Sequence, residues 1–263
     1  MLATAKSLVT LDKPYPKRGL LALVHGAVYG IYAWLAFLPC LFVAILGALL
    51  LPGLPRRRRW VAAAARSAFR LAGIQTTVSG CENLPAGHCI IVANHASYID
   101  GAILQAFLPP RFSYVIKGEM QKVPVVHFLL RRIGAKFVER FVASRSARDA
   151  RSLLRAAAAG ESLAFFPEGT FLDQPGLDRF RPGAFAAAIK GHLPIVPVVI
   201  RGSRHILPAD SLLPRHGTLK VDILECVAPE HPDYSSSARL AESARQRILA
   251  VLDEPDRLAT NVA

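Results

Sequence analysis

Residues 90–100 read Ile90-Ile91-Val92-Ala93-Asn94-His95-Ala96-Ser97-Tyr98-Ile99-Asp100. A run of β-branched apolar residues gives way at once to a short polar stretch, then to a segment that suits a helix. The run is short and has no polar interruption, as a strand buried on both faces of a sheet requires. Working outward, similar runs recur at Thr76-Thr77-Val78, Tyr114-Val115-Ile116, Phe137-Val138, Leu163-Ala164-Phe165-Phe166 and Ile195-Val196-Pro197-Val198-Val199-Ile200. Leu219, Val221 and Ile223 alternate with polar neighbours, the pattern of a half-exposed strand. Between these runs, residues 144–159 read as a helix with Ser144 available as its cap and Gly160 as its stop, and residues 236–252 as a final helix. The alternation implies an α/β fold over residues 61–263, a mixed and mostly buried β-sheet flanked by helices. The tail after Glu254 is expected to fray.

The N-terminal segment obeys a different rule. Residues 1–18 carry Lys6, Lys13, Lys17 and Arg18, whereas from Gly19 to Gly53 no acidic, lysine or arginine side chain occurs. That stretch is about 35 residues long, and a membrane-spanning helix needs about 20. Arg56-Arg57-Arg58-Arg59 follow it. One topology is a single tilted span. The preferred one is a helical hairpin or shallowly embedded pair bent near Pro39, which keeps both basic flanks on one side. In either case residues 1–60 form a basic arm and a membrane-embedded segment, with the following domain on the cytoplasmic face. The apolar run is too long for a signal peptide, and no small-x-small site closes it.

Composition agrees with a membrane setting. The 263 residues are 52% hydrophobic, and 32 Lys+Arg against 19 Asp+Glu give a net charge of +13. Such a charge seeks anionic partners. Zinc-finger spacing, basic-region heptads and aromatic RNA-binding signatures are all missing from the sequence, so membrane lipids are the expected partner and nucleic acid is not. Cys40, Cys81, Cys89 and Cys226 are scattered without CxxC spacing, and neither a metal site nor a disulfide framework is expected.

The chemistry concentrates at His95, which lies at the mouth of the strand run where open α/β sheets place ligands. Ser97 is available to cap a helix beginning there. Asp100 stands five residues after His95, and five residues turn a helix about 500°, so the two do not share one helical face. They meet if His95 stays in the loop and folds back toward the helix start. The carboxylate would then hold one imidazole nitrogen protonated and leave the other free as a base. Such a base takes a proton from an alcohol as that alcohol attacks an activated acyl group, with no enzyme nucleophile.

Four ordered blocks extend this reading. Asn94-His95 through Asp100, Gly134 through Arg140, Phe166-Pro167-Glu168-Gly169-Thr170 and Leu193 through Val198 resemble the motifs of the 1-acylglycerol-3-phosphate acyltransferase family. The resemblance implies that His95 is the general base and Asp100 its orienting partner, with Asn94 in a supporting place. It implies acceptor phosphate binding by Arg140, with Glu168, Gly169 and Thr170 completing that site, and it places Lys117 nearby. Pro194 and Pro197 would shape a sheet edge beside the acyl channel. It further implies acyl-CoA or acyl carrier protein as co-substrate, no metal or other cofactor, and 1-acylglycerol-3-phosphate as acceptor. The chain departs from the family pattern after Thr170: Phe171-Leu172-Asp173 stand where many members have Arg-Ser, and Arg179 or Arg181 would have to supply the charge. Another lysolipid such as lyso-ornithine lipid is therefore an alternative acceptor. A non-catalytic lipid-binding protein is the alternative of a different class. A serine hydrolase is disfavoured, since the sequence holds no GxSxG elbow.

Overall fold

The structure is a computed structural model and describes residues 19–138 and 143–260. The chain begins with helices α1 (Leu20–Leu50) and α2 (Leu54–Leu71), then strands β1 (Gln75–Ser79) and β2 (Ile90–Ala93). Next come α3 (Asp100–Phe107), β3 (Ser113–Lys117), α4 (Pro124–Arg132), β4 (Lys136–Val138), α5 (Ala143–Ala158) and β5 (Leu163–Phe165). It closes with α6 (Gly183–Gly191), β6 (Ile195–Arg201), α7 (Ser203–Ile206), β7 (Thr218–Ile223), α8 (Ser237–Leu249) and α9 (Arg257–Thr260).

Every strand expected from sequence forms, and together they make one sheet in the order β1-β7-β6-β2-β5-β3-β4. Neighbours are parallel except β6 and β7, so the sheet is mixed. β2 sits at the centre between β6 and β5. Its pleat sends Ile91 and Ala93 into a layer with Phe69, Leu104 and Phe112, and Ile90 and Val92 into a layer with Phe185, Ala188 and Leu240. Burial on both faces explains the unbroken apolar run, whereas β7 and β1 on one side of the sheet alternate.

Three details differ from the sequence expectation. Pro194 and Pro197 do not mark a sheet edge: β6 lies inside the sheet, third from one side. Pro197 is tolerated there because pairing with β7 is already interrupted between the Ile195–Val227 bridge and the ladder that starts at Val198. The tail does not fray at Glu254, since residues 253–257 pack against the loop after β5 and lead into α9. The apolar segment does not fold back at Pro39. Helix α1 runs straight through it, and the chain turns instead at Gly53, whose φ of 77° suits glycine, with Pro55 in the first turn of α2.

Helix α1 is long and apolar enough to cross a membrane, with a mean hydropathy of 2.4 over Leu23–Leu50. Yet one face is fastened to the body along much of its length. Tyr29 and Tyr32 hydroxyls donate to the Ala72 and Leu71 carbonyls at 2.8 and 2.5 Å. The Trp34 indole donates to Leu212 O at 2.8 Å, and Arg132 donates to the Ala48 and Leu49 carbonyls at 2.7 and 2.9 Å. The opposite face leaves Leu35, Phe42 and Leu50 exposed. The arginine cluster also divides. Arg58 is buried and donates to Ile133 O, Pro110 O and Ser113 Oγ, and Arg57 donates to Leu51 O and Arg132 O. Arg56 and Arg59 face outward. Half the basic cluster thus braces α2 rather than meeting solvent or lipid.

Candidate active site

Strands β3, β5 and β2 are parallel, so their C-terminal ends open on one side of the sheet. Lys117 closes β3 at that side, and the loops leaving β5 and β2 carry residues 166–170 and His95. Asn94 anchors its own loop: its side-chain amide donates to Ile200 O at 2.9 Å and accepts from Ile200 N at 2.7 Å, locking β2 to β6 just before His95.

The next turn is built on one carboxylate oxygen. Asp100 Oδ2 accepts from the Ala96 and Ser97 amides at 2.7 and 2.8 Å and lies 2.9 Å from His95 Nδ1. Asp100 is fully buried and occupies the first position of α3, so His95 reaches it by folding back from the loop, as the spacing requires. Ser97 does not cap α3. Its hydroxyl donates to Leu207 O at 2.6 Å, and Ile99 takes the capping position. With Nδ1–H donating to a carboxylate, Nε2 is the imidazole nitrogen left to act as base. The His95 ring lies flat on Phe166, 4.3 Å between centroids at 19°, with the edge of Phe171 at 4.7 Å.

Glu168 is buried beneath this turn. Its Oε1 accepts from His95 N at 2.7 Å and its Oε2 from Asp178 N at 3.0 Å, tying the histidine loop to the loop after β5. Burial pushes its pKa up to about 7, against the two backbone hydrogen bonds that favour the charged form. Glu168 therefore positions backbone rather than a ligand. Gly169 adopts a φ of 82°, which turns the chain sharply toward Thr170. The Lys117 ammonium donates to Thr170 Oγ1 at 2.9 Å, so a cation and a hydroxyl stand together.

Arg140 lies outside the described residues. Arg179 and Arg181 are exposed, and among the described residues neither guanidinium is seen against His95, Lys117 or Thr170. Their backbones serve the loop instead, Arg179 N donating to Asp178 Oδ1 at 2.6 Å and Arg181 N to Pro167 O at 2.9 Å. The sequence reading did not single out Phe166 and Phe171 as partners of His95. The only signal was their aromatic character on either side of the Glu168 block.

His95 opens onto an apolar cavity of about 330 Å³ bounded by α1, α2, α3 and α4. Small residues make the room, among them Ala44, Ala64, Ala68, Gly101 and Ala102. His95, Lys117, Gln105 and Tyr114 are among the few polar residues in an otherwise apolar lining.

Residues 75–201, which include His95, Asp100, Lys117 and the Phe166–Thr170 loop, match the acyltransferase family model. The chain is 30% identical over 178 residues to the chloroplastic 1-acyl-sn-glycerol-3-phosphate acyltransferase BAT2 of Brassica napus, covering 66% of this chain and 50% of that protein. It is 26% identical over 229 residues to the 1-acyl-sn-glycerol-3-phosphate acyltransferase of Saccharomyces cerevisiae, covering 84% and 75%. The chain carries the acyltransferase domain and is similar to the 1-acylglycerol-3-phosphate acyltransferases. It spans about half the length of the plant member and three quarters of the yeast one. Its fold is that of the solved 1-acyl-sn-glycerophosphate acyltransferase PlsC of Thermotoga maritima, with a TM-score of 0.72 at 22% identity over 87% of this chain and 95% of that one. Within the family frame, the His95–Asp100 turn and the Phe166–Thr170 loop are the two blocks that the structure brings face to face.

Proposed function

We propose that the protein transfers a fatty acyl group from an acyl thioester to the free hydroxyl of 1-acylglycerol-3-phosphate, giving phosphatidic acid. The observation that carries this reading is the His95–Asp100 pair, whose histidine lines an apolar cavity that Lys117 lines as well. His95 Nε2 takes the proton of the acceptor hydroxyl as its oxygen bonds to the thioester carbon. The C–S bond then breaks, and the departing thiolate takes the proton back from the imidazolium. No acyl-enzyme forms, and acyl-CoA and acyl carrier protein present the same thioester to this chemistry.

Lys117, Thr170 and Arg140 are the groups we assign to the acceptor phosphate, since a cation and a hydroxyl both bind phosphate oxygens well. The cavity behind His95 would take the acyl chain. Phe171 favours a second acceptor class, because an aromatic ring and not a guanidinium follows Thr170; a lyso-aminolipid is the alternative.

For location, we propose that residues 1–60 attach the protein to the cytoplasmic face of a membrane and that residues 61–263 form the transfer domain, with α2 shared between them. Because α1 is bonded to the body from Tyr29 to Leu49, it fits a helix lying in one leaflet better than a free-standing span. Exposed Leu35 and Phe42 would meet acyl chains, and Arg56 and Arg59 anionic headgroups, each charge contributing about 1 kcal/mol.

The test is acyl transfer by the membrane-reconstituted protein beside His95→Ala. Labelled acyl-CoA and acyl carrier protein are the donors, and lysophosphatidic acid and a lyso-aminolipid are the acceptors. Transfer lost in a folded mutant supports the reading, and the preferred acceptor decides between the two classes. Full activity in His95→Ala overturns it.

A further inference from the structure

We propose that Phe171, held over His95 by a clasp from the C-terminal segment, is a selectivity residue that keeps water from the base while an acyl thioester is bound. The inference rests on the acyl-transfer reading above. A base that deprotonates an alcohol deprotonates water equally well. In hydrolysis the proton of water would go to His95 Nε2, its oxygen would bond to the acyl carbon, and the C–S bond would break. The thiolate would then leave with the imidazolium proton, giving free fatty acid and thiol. Transfer and hydrolysis differ only in which hydroxyl reaches Nε2, so the walls around the imidazole decide between them.

Those walls are aromatic. Phe166 covers one face of the His95 ring at 4.3 Å, and Phe171 meets it edge-on at 4.7 Å. Tyr98 packs perpendicular to Phe171, also at 4.7 Å, and the His95 side chain retains 15% of its exposure. A phenyl ring offers water no strong hydrogen bond, so Phe166 and Phe171 supply none of the further partners that an ordered water beside His95 needs. Closing such a site against water is a recognised way to suppress side reactions of reactive acyl groups.

Phe166 follows directly on β5, but Phe171 sits on a surface loop, where exposed segments are usually mobile. Here Arg204 of α7, paired with Glu254 of the C-terminal segment, removes that freedom. Arg204 and Glu254 pair side by side, Nε to Oε1 and Nη2 to Oε2, both at 2.9 Å. Arg204 Nη1 also donates to the carbonyls of Leu172 and Asp173, the two residues after Phe171. Glu254 Oε2 accepts from Gly176 N at 2.6 Å, and Leu177 N donates to Pro255 O at 2.9 Å. At Gly176, with φ 126°, a Cβ would stand 2.9 Å from Pro255 O, so loop and tail meet backbone to backbone. The clasp thus fixes the loop within one or two residues of the ring that shields the base.

The experiment measures thiol release and acylated lipid in the same reaction, using the full chain in lipid nanodiscs, palmitoyl-CoA and lysophosphatidic acid. Wild type should release one thiol per lipid acylated. Phe171→Ala should raise that ratio about tenfold, and Glu254→Ala should raise it with Phe171 still present. Phe171→Leu, which restores an apolar wall, should return it toward wild type. A general loss of folding lowers both products together and does not move the ratio. An unchanged ratio in Phe171→Ala and Glu254→Ala overturns the inference while leaving the transfer reading intact. Absence of acylated lipid with wild type overturns the transfer reading itself, and this inference with it.

Discussion

Glu168→Gln is the perturbation with the most definite expected outcome. In the folded protein this carboxyl is buried between two loops, and its pKa rises from 4.5 to about 7. One pKa unit corresponds to about 1.4 kcal/mol, so ionising Glu168 works against the fold by about 3 kcal/mol. The sign follows from the direction of the shift. The folded state holds the proton more tightly than the unfolded state, so the contribution to stability is complete below pH 4.5 and is lost as pH rises through 7. Glutamine carries no charge and removes this dependence. It also has a single acceptor oxygen, so one of the two amides, His95 N or Asp178 N, loses its partner at a roughly constant cost of about 1–3 kcal/mol. The variant should therefore be less stable than wild type at pH 5 and should close that gap by about 3 kcal/mol by pH 8. Urea unfolding in a fixed detergent, followed by tryptophan fluorescence at half-unit pH steps, reads the difference. Two stability curves running parallel from pH 4.5 to 8 would show that Glu168 carries no such proton, and the electrostatic account of the turn would fail.

Asp100→Asn should keep the fold of the turn while weakening the hold on His95 Nδ1, lowering kcat by about 10²–10⁴-fold with little change in donor KM, as steady-state kinetics would show. Lys117→Met should raise KM for lysophosphatidic acid by about 10- to 100-fold and leave a phosphate-free acceptor nearly unaffected; equal losses on both would remove Lys117 from the phosphate site. Ala64→Leu intrudes on the cavity, so a panel of saturated acyl-CoA donors should show the longest chains disfavoured first, by about 0.8 kcal/mol for each methylene excluded. Arg245→Ala removes a buried guanidinium that pairs with Asp256 and donates to the Leu177 and Asp178 carbonyls, and denaturant unfolding should register a loss of about 3–5 kcal/mol.

What could be read from sequence follows the range of the interactions involved. The strands declared themselves because burial on both faces demands apolar residues at every position, as at Ile90–Ala93. The His95–Asp100 pair was legible because its partners are five residues apart and a loop-to-helix turn is a local event. Pro39 misled because a proline removes one helical hydrogen bond but leaves the rest, and α1 has 31 residues over which to absorb that loss. The real turn needed a positive φ, which Gly53 provides. Within Arg56–Arg59 no sequence rule separates the buried Arg58 from its exposed neighbours, because its partners Ser113 and Ile133 lie 55 and 75 residues away.

The same limit of range governs the site. Glu168 reads as a ligand residue when its block is taken alone, yet its partners are two backbone amides from different loops, one of them 73 residues distant. The C-terminal segment bonds the loop after β5 partly through main-chain groups such as Pro255 O, which leave no trace in residue identity. A consequence reaches beyond this chain's details. His95 and Asp100 come from one short turn, but the backbone hold on that turn and the rings against its imidazole come from Phe166, Glu168 and Phe171, whose loop is bonded in turn to the tail at 254–257. The pair is local, while its packing and positioning are assembled from two distant parts of the chain, the loop after β5 and the tail. A segment carrying the His95–Asp100 turn alone would therefore keep the pair but lose the packing and the backbone hydrogen bond that hold it.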